Sequence, residues 1–365
     1  MTASLNEKLS HVKWGEFKFG DLFDIKGIKQ AKSQKLIPSA DNGIPYVVQS
    51  QENNMVSRYV DRQYLLDNDE PVCQGNAIVL GVTLPAVSYQ KNEFGASQVI
   101  TARASFLTPN IGNFIASVLS KYITVFSYQN KPGIQIYKNM YIALPQNTND
   151  EVDFGFMESF TSELESERIA ELSAYLKVNG LDNYELSKEE KKALELYETL
   201  SFESFKLTSV FDVKNTSNLL SKQIAENSGK TPYLCASAEN NGVSSYIDYD
   251  KRYLEKGHCI FIGGKTFAVS YQQEDFFSND SHNLALYLRE YSADKSEFLY
   301  LATCLRKSLS HKYTWGDSVS KTKITTDKIS LPAKDGKPDY QSMNLLISAI
   351  QKMAIKDVVR YVNQH

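Results

Sequence analysis

Apolar and polar residues alternate over Trp14–Phe19 and again over Phe202–Leu207, which is the period of a half-buried β-strand. In both places a polar run rich in Lys, Ser, Gln and Asn follows, from Lys26 to Asn42 and from Lys214 to Lys230, and predicts a loop. Strand-like runs come next: Ile44–Val48 and Thr231–Cys235, Ala77–Gly81 and Cys259–Gly263, Ala86–Gln90 and Ala268–Gln272, with Gly, Asn and Asp between them. Helical spacing follows over Asn113–Ile123 and Ser296–Leu305, and a last strand ends at Leu144-Pro145 and at Leu331-Pro332. Short strands with one or two helices per unit predict an α+β domain.

The pattern occurs twice because the chain repeats itself. Phe17, Lys18, Phe23, Asp24 and Lys26 return 188 positions later as Phe205, Lys206, Phe211, Asp212 and Lys214. Pro45, Tyr46, Ser50, Glu52, Asn53, Asn54, Val56, Ser57 and Tyr59 return 187 later, and Ala86–Gln90 returns 182 later as Ala268–Gln272. Asp153 and Met157 return as Asp339 and Met343. An order kept over such a span is the duplication of a whole domain, not a short solenoid period. Two similar, diverged units suit a partner that offers two similar but different sites.

Each unit is followed by a long amphipathic helix. Phe156, Met157, Phe160, Leu164, Ile169, Leu172 and Leu176 form one stripe, and Met343, Leu346, Ile347, Ile350, Met353, Ala354, Val358 and Tyr361 the other. Gly180 stops the first helix, and the capping box Ser187–Glu190 starts an extra piece through Leu200 that the C-terminal helix lacks. The near-heptad stripes predict an antiparallel helix pair related by the pseudo-twofold of the repeats; each helix packing on its own domain is the alternative. The expected organisation is a first repeat over 1–150, a helical spacer over 151–201, a second repeat over 202–336 and a C-terminal helix over 337–365.

Charge changes this picture in one respect. The chain is −3 overall, but residues 150–203 hold 15 acidic and 5 basic side chains, so the remainder is +7. Mildly basic repeats permit a polyanionic partner. No apolar run is long enough to span a bilayer, and Met1–Lys8 lacks the charged-then-apolar pattern of a signal peptide. Cys73, Cys235, Cys259 and Cys304 show no metal or redox spacing, which predicts reduced thiols in a cytoplasmic protein.

No catalytic constellation is present, so no catalytic residue, metal or cofactor is expected. His11, His258, His282, His311 and His365 lie outside HExxH and triad contexts, and adjacent His258 and Cys259 point to opposite faces of a strand. Gly263-Gly264-Lys265-Thr266 resembles the end of a P-loop, but Cys259 stands where its first Gly belongs, and a hairpin tip with one basic side chain is the expectation. Asn53-Asn54 and Asn240-Asn241 suit adenine edges or tight turns; their recurrence favours scaffold.

Shared residues should carry the fold and differing ones the specificity. The loops after Ile25 and Val213 differ completely, as do the segments before the last strand. The candidates are Lys29, Gln30, Lys32, Lys131, Gln135 and Lys138 in the first unit, and Asn218, Lys222, Lys265, Trp315, Ser318, Lys321 and Lys323 in the second. Amides, hydroxyls and ammonium groups are the chemistry of base edges and phosphates; taken singly, each also suits a solvated loop.

The run Phe17–Ile25, Ile44-Pro45-Tyr46 with Glu52-Asn53-Asn54, the Ala86–Gln90 hairpin, Lys328–Pro332, and Pro338-Asp339-Tyr340 before Met343 together resemble the specificity subunits of type I, and related type IIB-like, restriction–modification systems. Glu167–Leu172 with Tyr175 and Gly180 resembles the spacer of such proteins. The resemblance runs from Trp14 to the end. It implies two target-recognition domains, each reading one half of a split double-stranded DNA sequence, with helices that set the spacing. It also implies methyltransferase (modification) subunits as partners, and through them a restriction subunit, which do the chemistry. Met343, Leu346, Ile350 and Met353 are then the docking candidates, unless they are buried against Phe160, Leu164 and Leu172. A stand-alone DNA-binding or interaction protein, an enzyme with an unusual site, and a carbohydrate-binding tandem are the other classes.

Overall fold

The continuous apolar runs Ala77–Gly81 and Cys259–Ile262 each become an interior strand of a four-stranded sheet, buried along their whole length. The computed structural model describes residues 3–30, 32–289 and 291–365. They divide into a first unit that ends at Ala174 and a second from Tyr175 to Gln364. Elements of the first are α1 (Ala3–His11), β1 (Trp14–Lys18), α2 (Phe19–Leu22), β2 (Asp24–Ile28), β3 (Ser39–Val47), β4 (Val56–Val60), α3 (Arg62–Asp67), β5 (Val72–Cys73), β6 (Ala77–Gly81), β7 (Val87–Gln90), β8 (Phe94–Ala96), β9 (Val99–Arg103), α4 (Pro109–Tyr122), α5 (Ile134–Asn139), β10 (Tyr141–Pro145) and α6 (Phe154–Val178). The second has α7 (Lys188–Glu195), β11 (Phe202–Lys206), α8 (Leu207–Val210), β12 (Phe211–Asn215), β13 (Thr231–Leu234), β14 (Val243–Ile247), β15 (Cys259–Ile262), β16 (Val269–Gln272), β17 (Phe277–Ser278), β18 (Leu284–Leu288), α9 (Lys295–Leu309), α10 (Lys321–Ile324), β19 (Lys328–Lys334), β20 (Lys337–Pro338) and α11 (Tyr340–Gln364).

The duplication extends to the topology of the sheets. The main sheet is β2-β9-β6-β7 in one unit and β12-β18-β15-β16 in the other. The smaller sheets β4-β3-β8-β5 and β14-β13-β17 share the antiparallel hairpin and the parallel third strand. The opening strand pairs with the closing one in both, β1 with β10 and β11 with β19. The fold is α+β, as the pattern predicts. The polar loops begin later than Lys26 and Lys214, because Asp24, Lys26, Asp212 and Lys214 lie on the solvent side of strands whose Ile25 and Val213 are buried.

Capping explains the helix starts. Thr108 accepts from Ile111 N at 3.2 Å with Pro109 in the first turn, so α4 starts four residues before Asn113. The recurring Asp153 and Asp339 are the N-caps of the two long helices, accepting from Phe156 N at 2.8 Å and Ser342 N at 3.1 Å.

The extra piece Leu181–Leu200 has a counterpart after all. Its helix α7, with the expected Ser187–Glu190 capping box, lies against α11, where Lys352 Nζ is 2.9 Å from Glu190. In the first unit α1 takes the same place: it precedes β1, buries Leu5 in the core and pairs Lys8 with Glu163 of α6. Each repeat therefore begins with a short helix laid on the long helix that ends it.

Candidate nucleic-acid interface

Strand register decides which loops meet. In the first unit Ile28 pairs with Val99, Gly81 with Val99, and Leu80 with Val87. The loop after β2, the hairpin 82–86 and the turn 97–98 therefore leave the same end of the sheet. Tyr137 Oη donates to Gly81 O at 2.9 Å and fixes α5 there. In the second unit Asn215 pairs with Leu284 and Ile262 with both Leu284 and Val269. The loop after β12, the hairpin 263–268 and the connection 279–283 share one end, and Val319 N donates to Gly264 O at 3.1 Å, which adds the loop 314–320.

The segments that differ between the repeats thus start from, or are tied to, one end of their unit's main sheet. The individual candidates are not equally available. Gln30 is half-buried and donates to Tyr46 Oη at 2.7 Å, a bond that supports the scaffold. Lys32 donates to Asn68 Oδ1 at 2.5 Å, and Lys131 lies 4.2 Å from the centre of the Tyr128 ring. Lys29 and Gln135 are exposed, and Lys138 is half-buried in the last turn of α5. In the second unit Asn218, Lys222, Lys265 and Lys321 are exposed, Trp315 is 82% exposed, and Ser318 is half-buried. Lys323 pairs with Asp317, whose carboxyl the ammonium holds below its ordinary value, and Lys265 Nζ is 3.7 Å from Asp280. Two second-unit cations thus face carboxylates, whereas Lys32 and Lys131 rest on neutral groups.

Shared residues are committed to the fold. Asn53, Asn54, Asn240 and Asn241 adopt φ of 48°, 51°, 46° and 54°, a left-handed backbone that Asn tolerates. Asn53 and Asn240 donate to the carbonyls of Val56 and Val243; Asn54 and Asn241 donate to those of Tyr89 and Tyr271. Gln90 and Gln272, both buried, return bonds of 2.7 and 2.9 Å to Asn54 O and Asn241 O. The Asn pairs are turns, not base readers. Lys265 stands on a β-hairpin tip, and no helix follows to make a P-loop.

Sequence reasoning missed Asp280 and His282, which stand beside Lys265. A signal existed: three residues join Ala96 to Ile100, but five join Ser278 to Leu284, although the flanking positions pair identically.

A second pair of equivalent features lies in the helical part of each unit. Phe202, Tyr300, Cys304, Leu346 and Ile350 line a groove of about 460 Å³. Trp14, Phe114, Val118, Phe160 and Leu164, their counterparts in the repeat, line one of about 370 Å³. Of the docking candidates, Met343 is wholly buried in the core of the second unit, and Leu346 is 1% exposed at the wall of this groove. Ile350 and Met353 are 52% and 57% exposed.

Burial pushes the Cys73 thiol up to about 11 and the Cys259 and Cys304 thiols up to about 12, which removes them as nucleophiles. Among the described residues no His, Cys, Asp or Glu cluster could hold a metal ion, and no helix is long and apolar enough to cross a membrane.

The specificity subunit S.BcgI of the type II restriction enzyme BgcI, from Heyndrickxia coagulans, is 28% identical over 156 residues. That match covers 41% of this chain and 44% of that subunit, so it spans less than half the length of the relative. The S subunit of a type I restriction–modification system from M. genitalium has the same fold, with a TM-score of 0.63 at 14% identity over 97% of this chain and 92% of that one. The family model of the type I restriction modification DNA specificity domain matches residues 11–174 and again 200–360. The chain belongs to that family and carries its domain twice.

Proposed function

We propose that this chain is the non-catalytic DNA-specificity subunit of a restriction–modification complex, in which each unit reads one half of a bipartite double-stranded target. The observation that carries this is the division of labour within each repeat: differing segments start from or are tied to one sheet end, while shared polar residues are spent on turns and strand contacts. The grooves at Trp14 and Phe202 recur with the fold, which suits two copies of one methyltransferase subunit. A restriction subunit joins through those. The test is base methylation of genomic DNA, read by single-molecule sequencing with and without this chain beside its methyltransferase. A split motif present only with the chain supports the proposal; identical methylation in both sinks it.

Lys321, like Lys29, Lys138 and Lys222, is a phosphate candidate with which no carboxylate among the described residues pairs, unlike its neighbour Lys323. In the assembled complex, Lys321→Ala should reduce the slope of log K against log salt by about one, without changing the motif. Lys323→Ala should change it less, since Asp317 already offsets that charge. Equal slopes for Lys321→Ala and wild type would remove Lys321 from the interface.

A further inference from the structure

The five-residue connection 279–283 is longer than its first-unit counterpart and firmly held. Asn215 Nδ2 donates to Ser281 O at 2.8 Å and Thr216 N to Asn283 O at 3.0 Å. Asn283, 1% exposed, accepts from Gly264 N at 2.9 Å and donates to Ser278 Oγ and Asn279 Oδ1 at 3.1 and 3.0 Å. What this frame presents is His282, whose side chain is 75% exposed. Asp280 Oδ1 accepts from His282 N at 2.9 Å and lies 2.8 Å from its Nδ1.

Burial raises the Asp280 carboxyl, but the two N–H groups of His282 outweigh that and hold it below its ordinary value, so it is an anion that only accepts. The ring proton is therefore assigned to Nδ1, and in the neutral imidazole Nε2 is an acceptor, with no partner among the described residues. An oriented side chain on a rigid loop loses little freedom on binding. The loop sits at the sheet end that carries Lys265 and, through Gly264 and Val319, the Trp315 loop.

We propose that His282 reads a base in the half-site served by the second unit, its Nε2 accepting from the exocyclic amine of cytosine or adenine. This rests on the specificity-subunit reading above. In the major groove those amines are the donors that distinguish the two bases from guanine and thymine. The experiment compares methylomes of cells carrying the methyltransferase with wild-type chain, His282→Ala or His282→Phe. One position of one half-site should relax in both variants, with discrimination there falling about tenfold, while the other half-site is unchanged and serves as internal control. The relaxed position names the base. An unchanged motif at unchanged completeness overturns the proposal. So does an unchanged motif with methylation lowered at every site, which would make His282 a backbone contact. Absence of any chain-dependent split motif with the wild-type chain would overturn the functional reading itself, and is recognised without the variants.

Discussion

Met343→Ala is expected to destabilise the second unit by roughly 3 kcal/mol, the cost of emptying a fully buried methionine site. Met343 has no exposure and belongs to the core that includes Phe298, Leu301, Leu305 and Leu331. Met157, its counterpart in the first repeat, is equally buried in the first core, so Met157→Ala should cost the first unit a similar amount. Ile350→Ala should change stability by less than about 0.5 kcal/mol, because half of that side chain already faces solvent in the groove. On the proposed function, Ile350→Ala instead weakens docking of the methyltransferase. Hydrogen exchange followed by mass spectrometry separates the two units, which a single unfolding midpoint would blur. Faster exchange confined to residues 175–364 in Met343→Ala is the expected result. Native exchange in that variant together with lost assembly would mean that Met343 is a contact residue after all.

The contrast between Met343 and Ile350 also shows what the sequence could and could not disclose. Both fall on the apolar stripe of α11, and periodicity alone gives them the same standing. Only the packing of α7 and α9 on that helix decides which turns are consumed, and nothing in the sequence of α7 resembles α1. Their equivalence is positional: Lys8 and Glu163 do in one repeat what Glu190 and Lys352 do in the other. Strands are legible where apolar runs are continuous, as at Ala77–Gly81, and are hidden where an outward-facing Lys opens a polar run, as at Lys26 and Lys214. The shared Asn pairs were legible as scaffold from recurrence, and the structure supplies the bonds. The candidate interface was legible by segment but not by residue. Gln30 looked as polar as Lys29, yet its amide is spent on Tyr46, and His282 was invisible because its role depends on a carboxylate held two residues away.

Glu190→Gln should lower the stability of the second unit by about 2 kcal/mol at pH 7. Glutamine keeps the shape and can still complete the capping box with Ser187, so the change isolates the charge. Glu190 is 4% exposed and meets Lys352 Nζ at 2.9 Å and Ser348 Oγ at 2.5 Å. Burial by itself raises its carboxyl; the Ser348 hydroxyl, the Lys352 ammonium and the Ser187 N–H outweigh that, so the folded-state value lies below the ordinary one. A carboxylate depressed on folding stabilises fully above its unfolded value, ~4.3, and loses that contribution as pH falls through the folded value. The gap between wild type and Glu190→Gln should therefore be constant above about pH 5.5 and close in more acidic solution, where wild type carries a neutral acid at the same place. The equivalent pair in the first unit, Lys8 with Glu163, is 46% exposed on both sides, so Glu163→Gln should cost under about 1 kcal/mol. A Glu190→Gln deficit that persisted unchanged into acid would assign the effect to packing, and the short helix would then be held to α11 by shape rather than by its buried ion pair.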